Sequence, residues 1–453
     1  MNLWILTEER PKKKVVEVLL KKLGEDRQLR VIIDKIGIMP IVKEERFSFT
    51  YQVTGVSIES IDNVFLKIVS GDSSFVDFLV FLQEKTPEKD SVPIYAVEET
   101  KTADIESRNT GVYQRCSKFV FLDFYYPGCK KIMLYNLQID SQSEPTQTNI
   151  FGTRMLMTIG VEILGKTLDK DIFKPFKSID EFIEFKSRMG NPPAGNVPIS
   201  INKFNDHIEV SGRLFKSGSL SHDPNIGALS IIAKTLRVLG WDKDIIITKH
   251  GLSQEHVNPR NKFVKIASKL NVKLDKLTMP KSEVSEEYWH YERNSEKIAT
   301  IFLHLILEDM EEIEVIYENH AGCERGYFKT QSGDCIAIHK YIENEKAKGI
   351  LNIPDLIVCD KSRKQILILE GKPHDNLTAG LEALKRYGPL QREYIEKYYP
   401  GYTVSKHVVL FGGYNTRIMQ REVAFLLNSN GDLILAEHTP DAIKNAVKKL
   451  LKK

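Results

Sequence analysis

Asp355, Glu370 and Lys372 lie in the stretch 353–372, IPDLIVCDKSRKQILILEGK, where two apolar runs flank a polar turn. IPDLIVCD and KQILILEGK are rich in strand formers and DKSRK has turn chemistry, so the stretch reads as an antiparallel strand pair. Asp355, early in the first strand, then lies across from the end of the second. There Glu370 and Lys372, two apart, point to the same face. Two hard carboxylates can hold Mg²⁺ while it keeps several waters and takes a phosphate oxygen, and an ammonium can steady the attacking water or the developing charge. This is the chemistry of phosphodiester hydrolysis.

A second set has the same arrangement. SSFVDFLVFL places Asp77 in one apolar strand, and VPIYAVEETK ends the next with Glu99 and Lys101, two apart. Val76 stands where the first stretch has Pro354, and Glu98 adds a further carboxylate.

Pro354-Asp355 with Glu370-Gly371-Lys372 resembles the motif of the PD-(D/E)XK nuclease superfamily, which includes most type II restriction endonucleases. The resemblance covers the windows 75–120 and 353–400. It implies mixed-sheet restriction-endonuclease-like cores, two in this chain, of class α/β (α+β). It further implies Mg²⁺ held by Asp77 and Glu99 and by Asp355 and Glu370, with Lys101 and Lys372 completing the catalytic sets. The expected substrate is double-stranded DNA cut at a short specific sequence, and the expected companion is a DNA methyltransferase acting on the same site. Two live centres would let one chain cut both strands; with one live centre the enzyme is expected to act as a homodimer. The family often places a helix after the catalytic strand, with a Gln or Lys aimed back at the site and arginines toward phosphate; the run after Lys101 carries Arg108, Gln114, Arg115 and Lys118, while Lys385 and Arg386 follow the other set. A helical glutamate upstream of the Asp is also common, which points to Glu17 and Glu296. Two other readings stay open: a DNA repair or recombination nuclease, and a sequence-specific DNA-binding protein that kept a degenerate nuclease fold.

The elements that must position these residues are legible in outline. PKKKVVEVLLKKLG reads as a helix stopped by Gly24, and LRVIID, NVFLKIVS, SFVDFLVFL and VPIYAVEE as strands. The stripe Ile298, Ile301, Phe302, Leu305 and Leu307 marks VSEEYWHYERNSEKIATIFLHLILEDM as the strongest helical pattern. VAFLLNSNGDLILAE reads as a hairpin turning at Asn430-Gly431. These elements suggest three domains: nuclease-like at 1–145, a mainly helical middle domain at 146–285, and nuclease-like at 286–453. In the middle domain FGTRMLMTIGVEILG reads as a helix. His222 and Asn225, beside the helix that Asp223-Pro224 should open, are candidates for reading bases.

Composition sets the bounds. With 64 basic and 61 acidic residues among 453, the net charge of +3 gives no global attraction to polyanions, so any DNA binding must come from local basic clefts. The five cysteines show neither disulfide-framework nor zinc-knuckle spacing, and no Cys/His cluster offers a zinc site. No apolar run is long enough to span a membrane, and a cytoplasmic protein is expected. A Rossmann glycine fingerprint, a P-loop and a nucleophile elbow are all lacking, which argues against the common metabolic enzyme classes.

Overall fold

The computed structural model describes residues 1–71, 75–100, 107–135, 147–165, 172–189, 200–214, 223–281, 287–292, 296–320, 325–339, 351–413, 418 and 420–452. The fold is mixed α/β. The chain forms two compact units, one of Met1–Ser70 with Tyr291–Lys453 and one of Gly71–His290. This division falls elsewhere than the boundaries expected near 145 and 285: the first seventy residues fold with the C-terminal third.

The first unit opens with β1 (Asn2–Thr7), α1 (Lys13–Arg27), β2 (Val31–Lys43), β3 (Arg46–Ile58) and β4 (Asn63–Gly71). Their sheet runs in the order β2-β3-β4-β1, with β1 parallel to β4 and the other pairs antiparallel. Helix α1 does not stop at Gly24; it continues to Arg27, and Gln28 takes the left-handed cap at φ 55°.

The second unit carries β5 (Phe78–Gln83), β6 (Tyr95–Thr100), α2 (Ser107–Leu122), β7 (Lys130–Tyr135), α3 (Gln147–Thr158) and β8 (Val161–Leu164). Strand β5 is antiparallel to β6, and β6, β7 and β8 are mutually parallel neighbours. After α4 (Ile179–Arg188) come β9 (Ser200–Lys203), β10 (His207–Ser211), α5 (Asp223–Val238), β11 (Asp244–Thr248), α6 (Lys262–Lys269), β12 (Val272–Leu274) and β13 (Trp289–Tyr291). Strands β12-β11-β10-β9 make a separate sheet, in which β9 alone is antiparallel to its neighbour. The middle of the chain has more residues in helix than in strand among those described, as expected, but it also carries this four-stranded sheet, which the sequence pattern suggests only in part. Its VEIL run is a strand because Gly160, at φ 82°, breaks the preceding helix.

Back in the first unit, α7 (Glu296–Glu308) is buried from Ile298 through Leu307. Such all-round burial suits a helix apolar on every side. It precedes β14 (Ile313–Glu318), the hairpin β15 (Arg325–Lys329) and β16 (Cys335–His339), then β17 (Leu356–Asp360), β18 (Gln365–Pro373), α8 (Leu377–Arg386), the short turn α9 (Gly388–Leu390), β19 (Thr403–Phe411), β20 (Val423–Leu427), β21 (Leu433–Leu435) and α10 (Asp441–Leu451). The six-stranded sheet runs β14-β17-β18-β19-β20-β21. Strand β17 is antiparallel to β18, while β18, β19 and β20 are parallel, the same succession as β5-β6-β7-β8. The N-terminal strands are tied to this part through the hairpin at Gly431, whose carbonyl accepts from the Phe47 amide at 2.7 Å and whose φ of 87° leaves no room for a side chain against the Phe47 carbonyl. The Phe47 ring meets that of Phe302 at 5.0 Å, and Phe49 meets Phe411 at 5.9 Å.

Candidate active site

In the β17–β18 ladder Leu356 faces Leu369, so one step further Asp355 faces Glu370. Asp355 Oδ2 accepts from the Gly371 amide at 2.8 Å, which fixes one carboxylate oxygen on the neighbouring strand. Lys372, on the same face as Glu370, donates to Glu370 Oε1 at 2.7 Å and to the Gly371 carbonyl at 2.8 Å. From the end of α8, the buried Tyr387 hydroxyl donates to Glu370 Oε2. All three residues expected from the sequence are thus brought together, and Glu370 has a partner that strand alternation could not reveal.

Gly371 shows how α7 reaches this face. A Cβ there would lie 2.5 Å from Thr300 Cγ2, 3.0 Å from the Glu296 carbonyl and 3.3 Å from Asp355 Oδ2. The helix therefore sits directly on the strand, and the Glu296 carboxylate comes close enough to act on both Asp355 and Lys372. Burial, then the charge of Glu370, pushes the Asp355 carboxyl up to about 7, against the pull of the Gly371 amide and Lys372. For Lys372 burial works downward, but Glu370 and Asp355 outweigh it and the ammonium ends above its ordinary value. Burial and then Glu370 drive the Tyr387 phenol far up, so it stays protonated as a donor.

The second set is built on the same frame, displaced by one residue from the sequence expectation. Phe78 faces Val97, so Asp77 faces Glu98 and not Glu99. Asp77 Oδ2 accepts from the Glu99 amide at 2.7 Å, the bond that Gly371 makes in the first set. Glu98 therefore occupies the place of Glu370, and Thr100 stands where Lys372 would. By strand alternation the Glu99 side chain belongs to the opposite face. Lys101 lies outside the described residues.

A lysine arrives instead from α2. Lys118 Nζ lies 2.8 and 3.0 Å from the two Glu98 oxygens and 3.4 Å from Asp77 Oδ1. Glu98 is 1% exposed; burial and then Asp77 push its carboxyl up to about 8. Burial lowers the Lys118 ammonium, but Glu98 and Asp77 prevail and raise it.

No protein-family model matches this chain, and no curated protein or solved structure shows significant similarity to it.

The remaining candidates divide. Arg115 is turned into the second set, donating from Nε to the Glu99 carbonyl at 2.7 Å with Glu98 Oε1 at 3.5 Å. Asn225 is buried and donates to the Arg213 carbonyl at 2.6 Å, so its amide is engaged and not presented for reading bases. His222 lies outside the described residues, as do the side chains of Arg108 and Gln114. Lys385 and Arg386 are exposed at the end of α8, Lys385 beside Glu382 at 2.7 Å. Glu17 sits on the surface of α1, paired with Lys21 at 2.5 Å, and takes no part in either centre. Among the described residues no helix is long and apolar enough to cross a membrane.

Proposed function

We propose that this protein is a Mg²⁺-dependent endonuclease that hydrolyses double-stranded DNA in the manner of a type II restriction enzyme, with its catalytic centre at Glu296, Asp355, Glu370 and Lys372. The observation that carries this reading is the cross-strand pair Asp355–Glu370 with Lys372 on the same face, held by Gly371 and Tyr387. The donor set suits the metal, since three carboxylates converge against one ammonium and hard oxygen donors favour Mg²⁺. When bound there, the ion would polarise the phosphate and lower the pKa of a bound water. Lys372 is placed to steady charge on the phosphate, Tyr387 fixes the Glu370 carboxylate, and the Gly371 amide fixes Asp355. In the hydrolysis, water forms a new P–O bond, the strand's bridging P–O bond breaks, and the leaving oxygen takes up a proton.

The second set differs in charge. Asp77 and Glu98 are met by two cations, Lys118 and Arg115, so that centre is compensated without a metal. Its geometry supports the alternative role of a structural copy, and the first centre then needs a second chain to cut both strands. Sequence specificity and a companion methyltransferase remain part of the proposal on the strength of the motif resemblance.

The test is incubation with plasmid and Mg²⁺. Discrete fragments that disappear in EDTA are expected, with cleavage lost in Asp355→Asn and Glu370→Gln and reduced about 10²–10³-fold in Lys372→Ala. A binding-only protein would shift DNA without cutting it. Cleavage that persists in excess chelator would reject the proposal.

A further inference from the structure

A second cluster lies in the first unit on the other end of the α7 face that carries Glu296. Glu296, Thr300 and His304 are spaced by four and so form one line along the helix. His304 meets Glu318, the last residue of β14, and His320 just beyond it. His304 Nδ1 lies 2.9 Å from His320 Nε2 and 3.4 Å from Glu318 Oε2, and His320 Nε2 lies 4.0 Å from Glu318 Oε2. Each residue thus offers one donor atom, and the three lie close enough together to hold one metal ion. Bonds of about 2.0–2.1 Å from a tetrahedral zinc imply ligand-to-ligand edges of about 3.3–3.5 Å, and the three distances bracket that value.

The proton inventory points the same way. The Thr300 hydroxyl donates to the Lys297 carbonyl at 3.2 Å, so it accepts from His320 Nδ1 at 3.0 Å. His320 then carries its proton on Nδ1 and its Nε2 accepts from His304 Nδ1 at 2.9 Å; a metal ion would take the place of that shared proton, with His304 passing to the Nε2–H form. Glu318 is gripped by Arg10, Nε to Oε2 at 2.7 Å and Nη2 to Oε1 at 3.1 Å, which leaves lone pairs on the carboxylate free for a further partner. His304 is 1% exposed, so an ion held there would be shielded from solvent. Two imidazoles and a carboxylate, with His320 oriented by Thr300 and Glu318 by Arg10, make a ligand set with a partial supporting shell.

We infer that His304, Glu318 and His320 bind a divalent transition-metal ion of the zinc class. Imidazole donors favour such an ion over Mg²⁺, which distinguishes this site from the carboxylate centre. The ion would pin α7 to the end of β14, where the Asn319 amide donates to the Asp355 carbonyl at 2.8 Å. Its role is structural, and the inference does not depend on the nuclease proposal.

The experiment uses the full chain, stripped by chelator and then titrated with Co²⁺ and Zn²⁺. With excess Mg²⁺ present to fill the carboxylate centre, the wild type should take up one Co²⁺ per chain by elemental analysis, with the visible absorption of low-coordinate Co²⁺, and Zn²⁺ should displace it. His320→Ala and His304→Ala should lose affinity by at least about tenfold, while Asp355→Asn keeps it. Failure of the wild type to take up either ion would overturn the inference without a variant being needed. So would folded histidine variants, checked by circular dichroism, that bind as the wild type does, or loss of the ion in Asp355→Asn alone, which would place it among the carboxylates.

Discussion

Asp355, Glu370 and Lys372 could be read from the sequence because one hairpin fixes all three: facing strands set the pair, and alternation sets the lysine. The second set could not be read to the residue, because Glu98 and Glu99 are adjacent and only the ladder register decides which one faces Asp77. A slip of one residue turns every side chain to the other face, and E-x-K spelled from Glu99 is such a slip. Lys118 lies on the helix expected after the catalytic strand, from which a Gln or Lys was expected to point back at the site, whereas Tyr387 was hidden: it approaches from the end of a helix at 17 residues' remove, and no local spacing announces that. Tyr387 is also the sharpest test at this scale. Tyr387→Phe removes the donor to Glu370 and leaves the ring's packing intact. Leaving a buried carboxylate oxygen unsatisfied costs about 1–3 kcal/mol. The expected result is a rise of about 10–100-fold in the Mg²⁺ concentration needed for half-maximal cleavage, alongside a loss of about 1–3 kcal/mol in urea unfolding of the metal-free protein. An unchanged Mg²⁺ dependence would show that Tyr387 does not position the carboxylate.

At the scale of elements, the strong periodic signals held and the short apolar runs misled. The α7 stripe was evident, yet the helix starts at Glu296, and Trp289–Tyr291 upstream of it is a strand. A three-residue strand carries no period of its own; pairing decides it. The turn DKSRK was legible, and the structure shows why it is sharp. Asp360 accepts from the Ser362 hydroxyl at 2.7 Å and the Arg363 amide at 3.0 Å, with the Arg363 guanidinium at 3.0 Å. Burial alone would raise this carboxyl, but those donors outweigh it and hold it below the ordinary aspartate value. A depressed carboxyl stabilises the fold above the unfolded pKa of about 3.9, and the contribution is lost as pH falls through the folded value. Asp360→Ala should therefore cost about 1–3 kcal/mol near pH 7, and the gap from the wild type should shrink toward pH 3. Urea unfolding at the two pH values measures it, and a gap that stays constant would mean that the charge of Asp360 is not what closes the hairpin.

For the whole molecule, the sequence suggested three consecutive domains, and the chain instead forms two units, one of them from both ends. Phe47 on Phe302 and Phe49 on Phe411 are long-range contacts that no local pattern encodes. What was visible was the repeated order of strands and helix, which recurs as β5-β6-α2-β7 and β17-β18-α8-β19. Two similar frames do not imply two active centres, and electrostatics separates them. The first has Glu296, Asp355 and Glu370 against Lys372, a negative site that a dication would relieve. The second has Asp77 and Glu98 against Lys118 and Arg115, and Glu98 is closed off from solvent. A centre already met by two cations gains less from a dication, so the proposed catalysis is placed in the first frame alone. On supercoiled plasmid Asp355→Asn should then leave the substrate intact, while Glu98→Gln, provided circular dichroism shows it folded, should still give linear product. With one centre per chain, cutting both strands takes two chains, so wild type mixed with excess Asp355→Asn should accumulate nicked circles. If instead each single variant nicks on its own and the double variant is inert, both centres are live and each cuts one strand. In that case the lysine from α2 does the work of the missing strand lysine, and the charge argument fails at Arg115, whose bond to the Glu99 carbonyl would hold it back from neutralising Glu98.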